Sequence, residues 1–127
     1  METDTLFHYN FFDLKEFACP CCGVNKIDPT LVYHLDELRA CLRMPIIVTS
    51  GYRCHAHNAS IGGVVDSYHI MGKAVDFRFD KAITPRIRYN VLREIMCNNF
   101  FKGIGIYNGF FHLDCRCSNT CWIDSND

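Results

Sequence analysis

The chain has no apolar stretch near the roughly 18 residues needed to cross a bilayer as a helix, and no run of lysine and arginine. It has no internal repeat, no low-complexity segment and no linker-like stretch. These absences argue against a membrane-inserted protein and against a repeat array. Thirteen basic residues against fourteen acidic ones leave a formal charge of −1. A nucleic-acid binder that works by bulk charge needs a basic surface, so no nucleic-acid partner is expected. The opening METDTLFHYNFFDLKEF lacks a basic start followed by an apolar run, so no secretory signal is read there. The expectation is synthesis in a reducing cytoplasm, where thiols stay free or bind metal. The 127 residues suit one domain, 1–127, and 49% hydrophobic with 21% charged residues is ordinary for a globular fold.

What the sequence does have is cysteine: nine, at positions 19, 21, 22, 41, 54, 97, 115, 117 and 121. An odd number cannot all pair within one chain. Cys41 and Cys97 fall in helical stretches and read as small buried hydrophobes. Cys19-x-x-Cys22 has the spacing of half a zinc knuckle, and Cys117-x-x-x-Cys121 offers another half. If the two ends of the chain meet, Cys19, Cys22, Cys117 and Cys121 form a metal or disulfide clasp; otherwise these thiols are free.

Local signals give an α+β pattern. Asp28-Pro29 is a cap followed by a first-turn proline, and Leu31, Leu35, Leu38 and Leu42 then recur at helical spacing until Pro45. Ile46-Ile47-Val48 reads as a strand ending at Ser50-Gly51. Residues 54–73 read as irregular. AVDFRF alternates, with Val75, Phe77 and Phe79 on one face and Asp76 and Arg78 on the other. Thr84-Pro85 opens a second helix with Ile87, Val91, Ile95 and Met96 on its apolar face, and Gly103 closes the segment. GIGIY and GFFHLDCR form a hairpin about Asn108-Gly109. The sum is two main helices on a small, largely antiparallel sheet.

Two segments carry chemistry. In SYHIMGKAVD, residues 67–76, His69 and Asp76 stand seven apart with Gly72 between them to allow a turn. In FFHLDCR, residues 110–116, His112 shares a strand face with Phe110, Asp114 and Arg116, while Phe111, Leu113 and Cys115 face the other way. Polar groups on an otherwise apolar strand are costly to bury unpaired. Two imidazoles and a carboxylate make three metal ligands, and a fourth position left to water is the pattern of a catalytic zinc site. Zinc lowers the pKa of such a water toward 7, so that it attacks carbonyls at neutral pH. Spacing by itself leaves the plainer reading open, in which each residue is a surface or hydrogen-bonded group.

SYHIMGKAVD resembles the SxHxxGxAxD motif of the zinc D-Ala-D-Ala carboxypeptidases and L-alanyl-D-glutamate endopeptidases of bacteria and their phages. It matches at Ser67, His69, Gly72, Ala74 and Asp76. SGYRCHAHNASIGG and GIGIYNGFFHLDCR resemble two further segments of that family, and FFDLKEFACPCCG resembles its opening helix and cysteine cluster. The likeness covers nearly the whole chain and is most like the short, single-domain branch often encoded by phages and prophages. It implies that His69, Asp76 and His112 are the zinc ligands. It implies that Arg53 holds a substrate carboxylate or polarises the scissile carbonyl, since a guanidinium is a two-pronged donor. Ser67 would hydrogen-bond near the metal or substrate.

The family's proton-moving residue is a Glu three residues, or a His two residues, before the last ligand. Here those positions hold Gly109 and Phe110. Asp114 is the available acid, either as the base that takes a proton from the attacking water or as a group that orients an imidazole. Of the remaining residues, His57 and Asn58 are expected to support the loop and His55 to be exposed. His8 and His34 carry no pattern, and Trp122 is expected to pack. The implied function is a zinc peptidase acting on peptidoglycan stem peptides, monomeric by default, in phage lysis or wall degradation. It would be released by a separate pore or carried on the virion. The alternative is a non-catalytic zinc-binding structural or virion-associated protein of the same fold, since the hedgehog signalling domain resembles this architecture without established peptidase activity.

Overall fold

The structure is a computed structural model that describes residues 9–124. His8, and the first residues of the segment read for a signal, lie outside the described residues. A 3-10 turn at Leu14–Phe17 is followed by helix α1 (Pro29–Leu42), strand β1 (Ile46–Ser50), helix α2 (His55–Ser60) and strand β2 (Ala74–Phe79). Helix α3 (Pro85–Asn98) then leads to β3 (Gly103–Tyr107), β4 (Phe110–Asp114) and β5 (Thr120–Ile123). The architecture is α+β, with one five-stranded sheet in the order β1-β2-β4-β3-β5.

The caps set the long helices. Asp28 accepts the Thr30 N–H at 2.9 Å and Thr84 accepts the Ile87 N–H at 3.2 Å, each ahead of a proline at the first turn. Both helices stop earlier than Pro45 and Gly103 suggest, because Arg43 (φ 58°) and Asn99 (φ 61°) take the left-handed conformation that ends a helix. Leu31, Val32, Leu35 and Leu38 of α1 and Val91 and Ile95 of α3 are buried, and they share one core with Val75, Phe77, Ile104, Ile106, Phe111 and Leu113 of the sheet. The buried Asp36 carboxylate accepts the Asn10 and Phe11 N–H groups at 3.0 and 2.8 Å, which ties the start of the described chain to α1.

Several expectations are corrected. Met96 is 66% exposed, and Cys41 and Cys97 are also exposed, since their positions on α3 and α1 turn away from the sheet. The stretch read as irregular contains α2, which is only six residues long and so too short to show a periodicity. Strand β5 was not legible. It lies at the sheet edge, is mostly exposed and pairs in parallel with β3, so it has no buried face to write an alternation.

The pairing register positions the site. Asp76 of β2 lies opposite His112 of β4, His112 opposite Gly105 of β3, and Gly105 opposite Trp122 of β5. One row across four strands therefore carries a carboxylate, an imidazole, a gap and an indole, on the sheet face opposite the helices. The next row sets Ala74, Asp114, Gly103 and Thr120 side by side.

Candidate functional site

Asp76 and His112 meet because they are cross-strand neighbours, and the third group is delivered by a turn. The Ser67 hydroxyl accepts the His69 N–H at 3.1 Å and fixes the start of that turn. Gly72 closes it with φ +71°, and its carbonyl accepts the Asp28 N–H at 2.9 Å. A Cβ at Gly72 would overlap the Lys26 carbonyl oxygen, so the position requires glycine twice over. His69 is thereby held 2% exposed, with its ring 5.3 Å from that of His112.

The hydrogen bonds around the rings fix which nitrogens carry protons. His69 Nδ1 lies 2.7 Å from the Gly51 carbonyl oxygen, which can only accept, so Nδ1 donates and Nε2 is left with its lone pair. His112 Nε2 lies 2.7 Å from Asp114, so it donates and Nδ1 is left likewise. Those two lone-pair nitrogens both face Asp76 Oδ1, at 3.2 and 2.8 Å. Three acceptors thus converge with no donor among them unless an imidazole takes a second proton. A cation resolves the convergence. Four ligands at 2.0–2.1 Å from a tetrahedral zinc lie about 3.4 Å apart, and the three donor atoms here all fall within 4.8 Å of one another. The donor set and its geometry fit zinc. Burial works against the charge of Asp76, but the hydrogen bonds with His112 and His69 outweigh it and hold the carboxyl at about 2, so it is ionised throughout the physiological range.

Asp114 is 0% exposed. Its carboxylate accepts His112 Nε2 at 2.7 Å, Arg116 Nε at 2.8 Å and Arg116 Nη2 at 2.7 Å. Burial opposes its charge; the Arg116 and His112 contacts prevail and hold it well below the usual carboxylate range. Arg116 is itself held between the faces of Tyr68 and Trp122, 4.9 and 5.0 Å from the ring centroids. The glycine at 103 makes this possible, because a Cβ there would run into the Asp114 carboxylate.

Arg53 enters from the loop after β1. Its guanidinium donates to Ser50 Oγ at 3.1 Å, Asn58 Oδ1 at 3.0 Å and Asp76 Oδ2 at 3.3 Å. Asn58 in turn donates to the Val64 carbonyl at 2.7 Å, which ties α2 to the loop ahead of Ser67. Arg53, Ser67, His69, Asp76 and His112 all line one cleft of about 630 Å³. Tyr107, Phe110, Arg116 and Trp122 form its other wall, where the Trp122 indole N–H donates to the Tyr107 hydroxyl at 2.9 Å.

The structure therefore brings together Arg53, Ser67, His69, Asp76 and His112, with Asp114 behind His112 rather than in the cleft. Sequence reasoning missed Trp122 and Tyr68 as wall residues, and missed the role of Arg116. The one usable signal was that Arg116 shares a strand face with His112 and Asp114. The terminal clasp is a correction. Cys117 and Cys121 are exposed, and the cysteines within ligand reach of one another among the described residues are Cys19, Cys21, Cys22 and Cys54. Strand β5 runs along β3, so its Cys121 stays at the sheet edge.

Comparison with known proteins follows the same lines. A model of the peptidase M15 family matches residues 10–114. Over 101 residues the chain is 36% identical to a Haemophilus influenzae protein named probable peptidoglycan L,D-endopeptidase MepK, a match that takes in 72% of this chain. The chain spans about half the length of that relative, 52%.

Proposed function

This chain belongs to the peptidase M15 family, and on that premise we propose that it is a zinc-dependent peptidase hydrolysing peptide bonds in peptidoglycan stem peptides. The observation that carries the reading is the convergence of the His69 Nε2 and His112 Nδ1 lone pairs on Asp76 Oδ1 in an open cleft. His69, Asp76 and His112 would hold the metal, which when bound supplies a Lewis acid and an activated water for amide hydrolysis.

The other residues act on orientation and binding. Asp114 is a positioning residue: its carboxylate holds the proton on His112 Nε2 and so keeps Nδ1 as the ligating atom. With no exposed surface and with Arg116 on both its oxygens, it is a poor proton acceptor for substrate chemistry. Arg53 faces the cleft from beside Asp76 and is the donor for a substrate carboxylate or for the carbonyl being attacked. Ser67 forms the turn under His69 and offers its hydroxyl proton to the cleft. Action on the wall after release from the cell, or from a virion, belongs to the same proposal.

A second reading, a zinc-binding protein without turnover, is favoured by one feature: Gly109 and Phe110 stand where relatives carry a proton-moving side chain. Digestion of purified peptidoglycan by the zinc-loaded protein, followed by mass spectrometry of the released peptides, separates the two. New stem-peptide termini with the wild type and none with His69→Ala support the peptidase. Stoichiometric zinc with no cleavage of any stem peptide supports the binding protein.

A further inference from the structure

Four cysteines that the cleft does not use gather beside it. Cys19, Cys21 and Cys22 come from the segment CPCCG that follows the 3-10 turn, and Cys54 comes from the loop after β1. Their four sulfurs all lie within 4.8 Å of one another. Cys19 Sγ is 3.7 Å from both Cys21 Sγ and Cys54 Sγ, and the latter two are 3.4 Å apart. A disulfide needs about 2.05 Å. Four sulfurs at 2.3 Å from a tetrahedral zinc lie about 3.8 Å apart. The observed spacing is close to that of ligands sharing one ion.

The backbone is shaped for the same purpose. The Gly23 N–H donates to the Cys19 carbonyl at 2.8 Å, and the Cys19 N–H to the Val24 carbonyl at 2.8 Å, which curls CPCCG into a tight turn. Gly23 takes φ +77° to complete it. Two N–H groups point at sulfur: Cys54 to Cys19 Sγ at 3.5 Å, and His57 to Cys54 Sγ at 3.4 Å. Such donors favour the thiolate form that a metal requires. Cys19 is 1% exposed and forms the base of the group, while Cys21 and Cys22 close it from the solvent side.

We propose that Cys19, Cys21, Cys22 and Cys54 form a four-thiolate zinc site, separate from the His69–Asp76–His112 centre. An all-sulfur tetrahedral set selects zinc among the common divalent ions that avoid redox chemistry. With all four positions filled by protein, the site has none left for water or substrate, so it is structural. Its purpose follows from what Cys54 adjoins. Arg53 is the preceding residue, Cys54 caps the helix that carries Asn58, and the Gly51 carbonyl orients His69. The Tyr52 N–H donates to the Phe17 carbonyl at 2.8 Å. An ion bridging Cys19–Cys22 to Cys54 thus locks the 51–58 segment, with Arg53 and the His69 acceptor, onto the turn that precedes CPCCG.

The test is metal analysis of the full chain purified under reducing conditions, combined with cobalt substitution. The expected result is two zinc ions per chain in the wild type, one in His69→Ala, one in Cys54→Ser and two in Cys117→Ser. Cobalt-loaded His69→Ala should show an intense near-ultraviolet thiolate-to-cobalt charge-transfer band. A single zinc in the wild type that disappears in His69→Ala overturns the proposal. So does a cobalt-loaded His69→Ala protein without that band, or a metal-free protein with disulfides among the four cysteines. If Cys54→Ser fails to fold, the wild-type stoichiometry and the His69→Ala spectrum still decide. Absence of peptidoglycan cleavage would count against the peptidase reading and leave this one standing.

Discussion

Asp114 accepts His112 Nε2 on Oδ2 and Arg116 on both oxygens, so its removal acts on the candidate metal ligand before it acts on any substrate. Asp114→Asn should therefore lower zinc affinity about 10- to 100-fold, measured by competition with a chromogenic chelator. A fall in kcat at unchanged zinc affinity would instead make Asp114 the base. Arg53→Lys should leave the zinc content intact but raise KM for a carboxylate-bearing stem peptide roughly tenfold or more, as one charge-assisted hydrogen bond is about 1.5–3 kcal/mol. A lysine ammonium cannot reproduce the planar fork that reaches Ser50, Asn58 and Asp76 together. Steady-state kinetics on a defined peptide checks this. Among the thiols, burial is the chief reason Cys115 is pushed up to about 12, so it stays protonated at neutral pH. Cys115 should thus alkylate far more slowly than exposed Cys41, Cys97, Cys117 and Cys121 in the native protein, as read by peptide mass spectrometry. At this scale the sequence named a candidate ligand set through motif likeness. It could not choose between the two roles of Asp114, because that choice depends on which atoms surround a buried carboxylate.

At the scale of elements, the turn from Ser67 to Gly72 and the row Asp76–His112–Gly105–Trp122 do the positioning. Gly72→Ala forces a left-handed alanine against the Lys26 carbonyl. It should cost at least about 2 kcal/mol, measured as a lower denaturant midpoint, with loss of zinc from the His69 centre at the same time. A midpoint equal to the wild type would show that the turn relaxes without consequence. The alternation in β2 and β4 and the Asn108-Gly109 turn were legible, since each strand has one face in the core and one in the cleft. The cap signals placed the starts of α1 and α3 correctly. Their ends are less legible: Arg43 stops α1 through a left-handed conformation that arginine does not announce, whereas Asn99, a residue type that tolerates that conformation, is the available signal for the end of α3.

At the scale of the whole molecule, metal binding and folding should be linked, because the candidate ligands come from β2, β4 and the turn ahead of β2 and converge only in the folded chain. Stripping with a chelator should lower the melting temperature by on the order of 10 °C, since saturation at about 1,000 times Kd contributes roughly 4 kcal/mol. Calorimetry should show recovery when zinc is added back, and an unchanged melting curve would mean that no metal stabilises the fold. The sequence by itself determined the α+β class, the two capped helices and the hairpin, while the three candidate ligands came from motif likeness. These are properties of short segments, written in local spacing, caps and alternation. Only the tertiary structure decided that Asp114 backs His112, that Trp122 and Arg116 wall the cleft, and that Cys54 rather than Cys117 or Cys121 joins the amino-terminal cysteines. Each of those facts depends on strand order and register across the sheet, or on a loop meeting a distant turn. The physical cause is that such long-range contacts are fixed by the packing of the whole core, and no window of residues carries them alone.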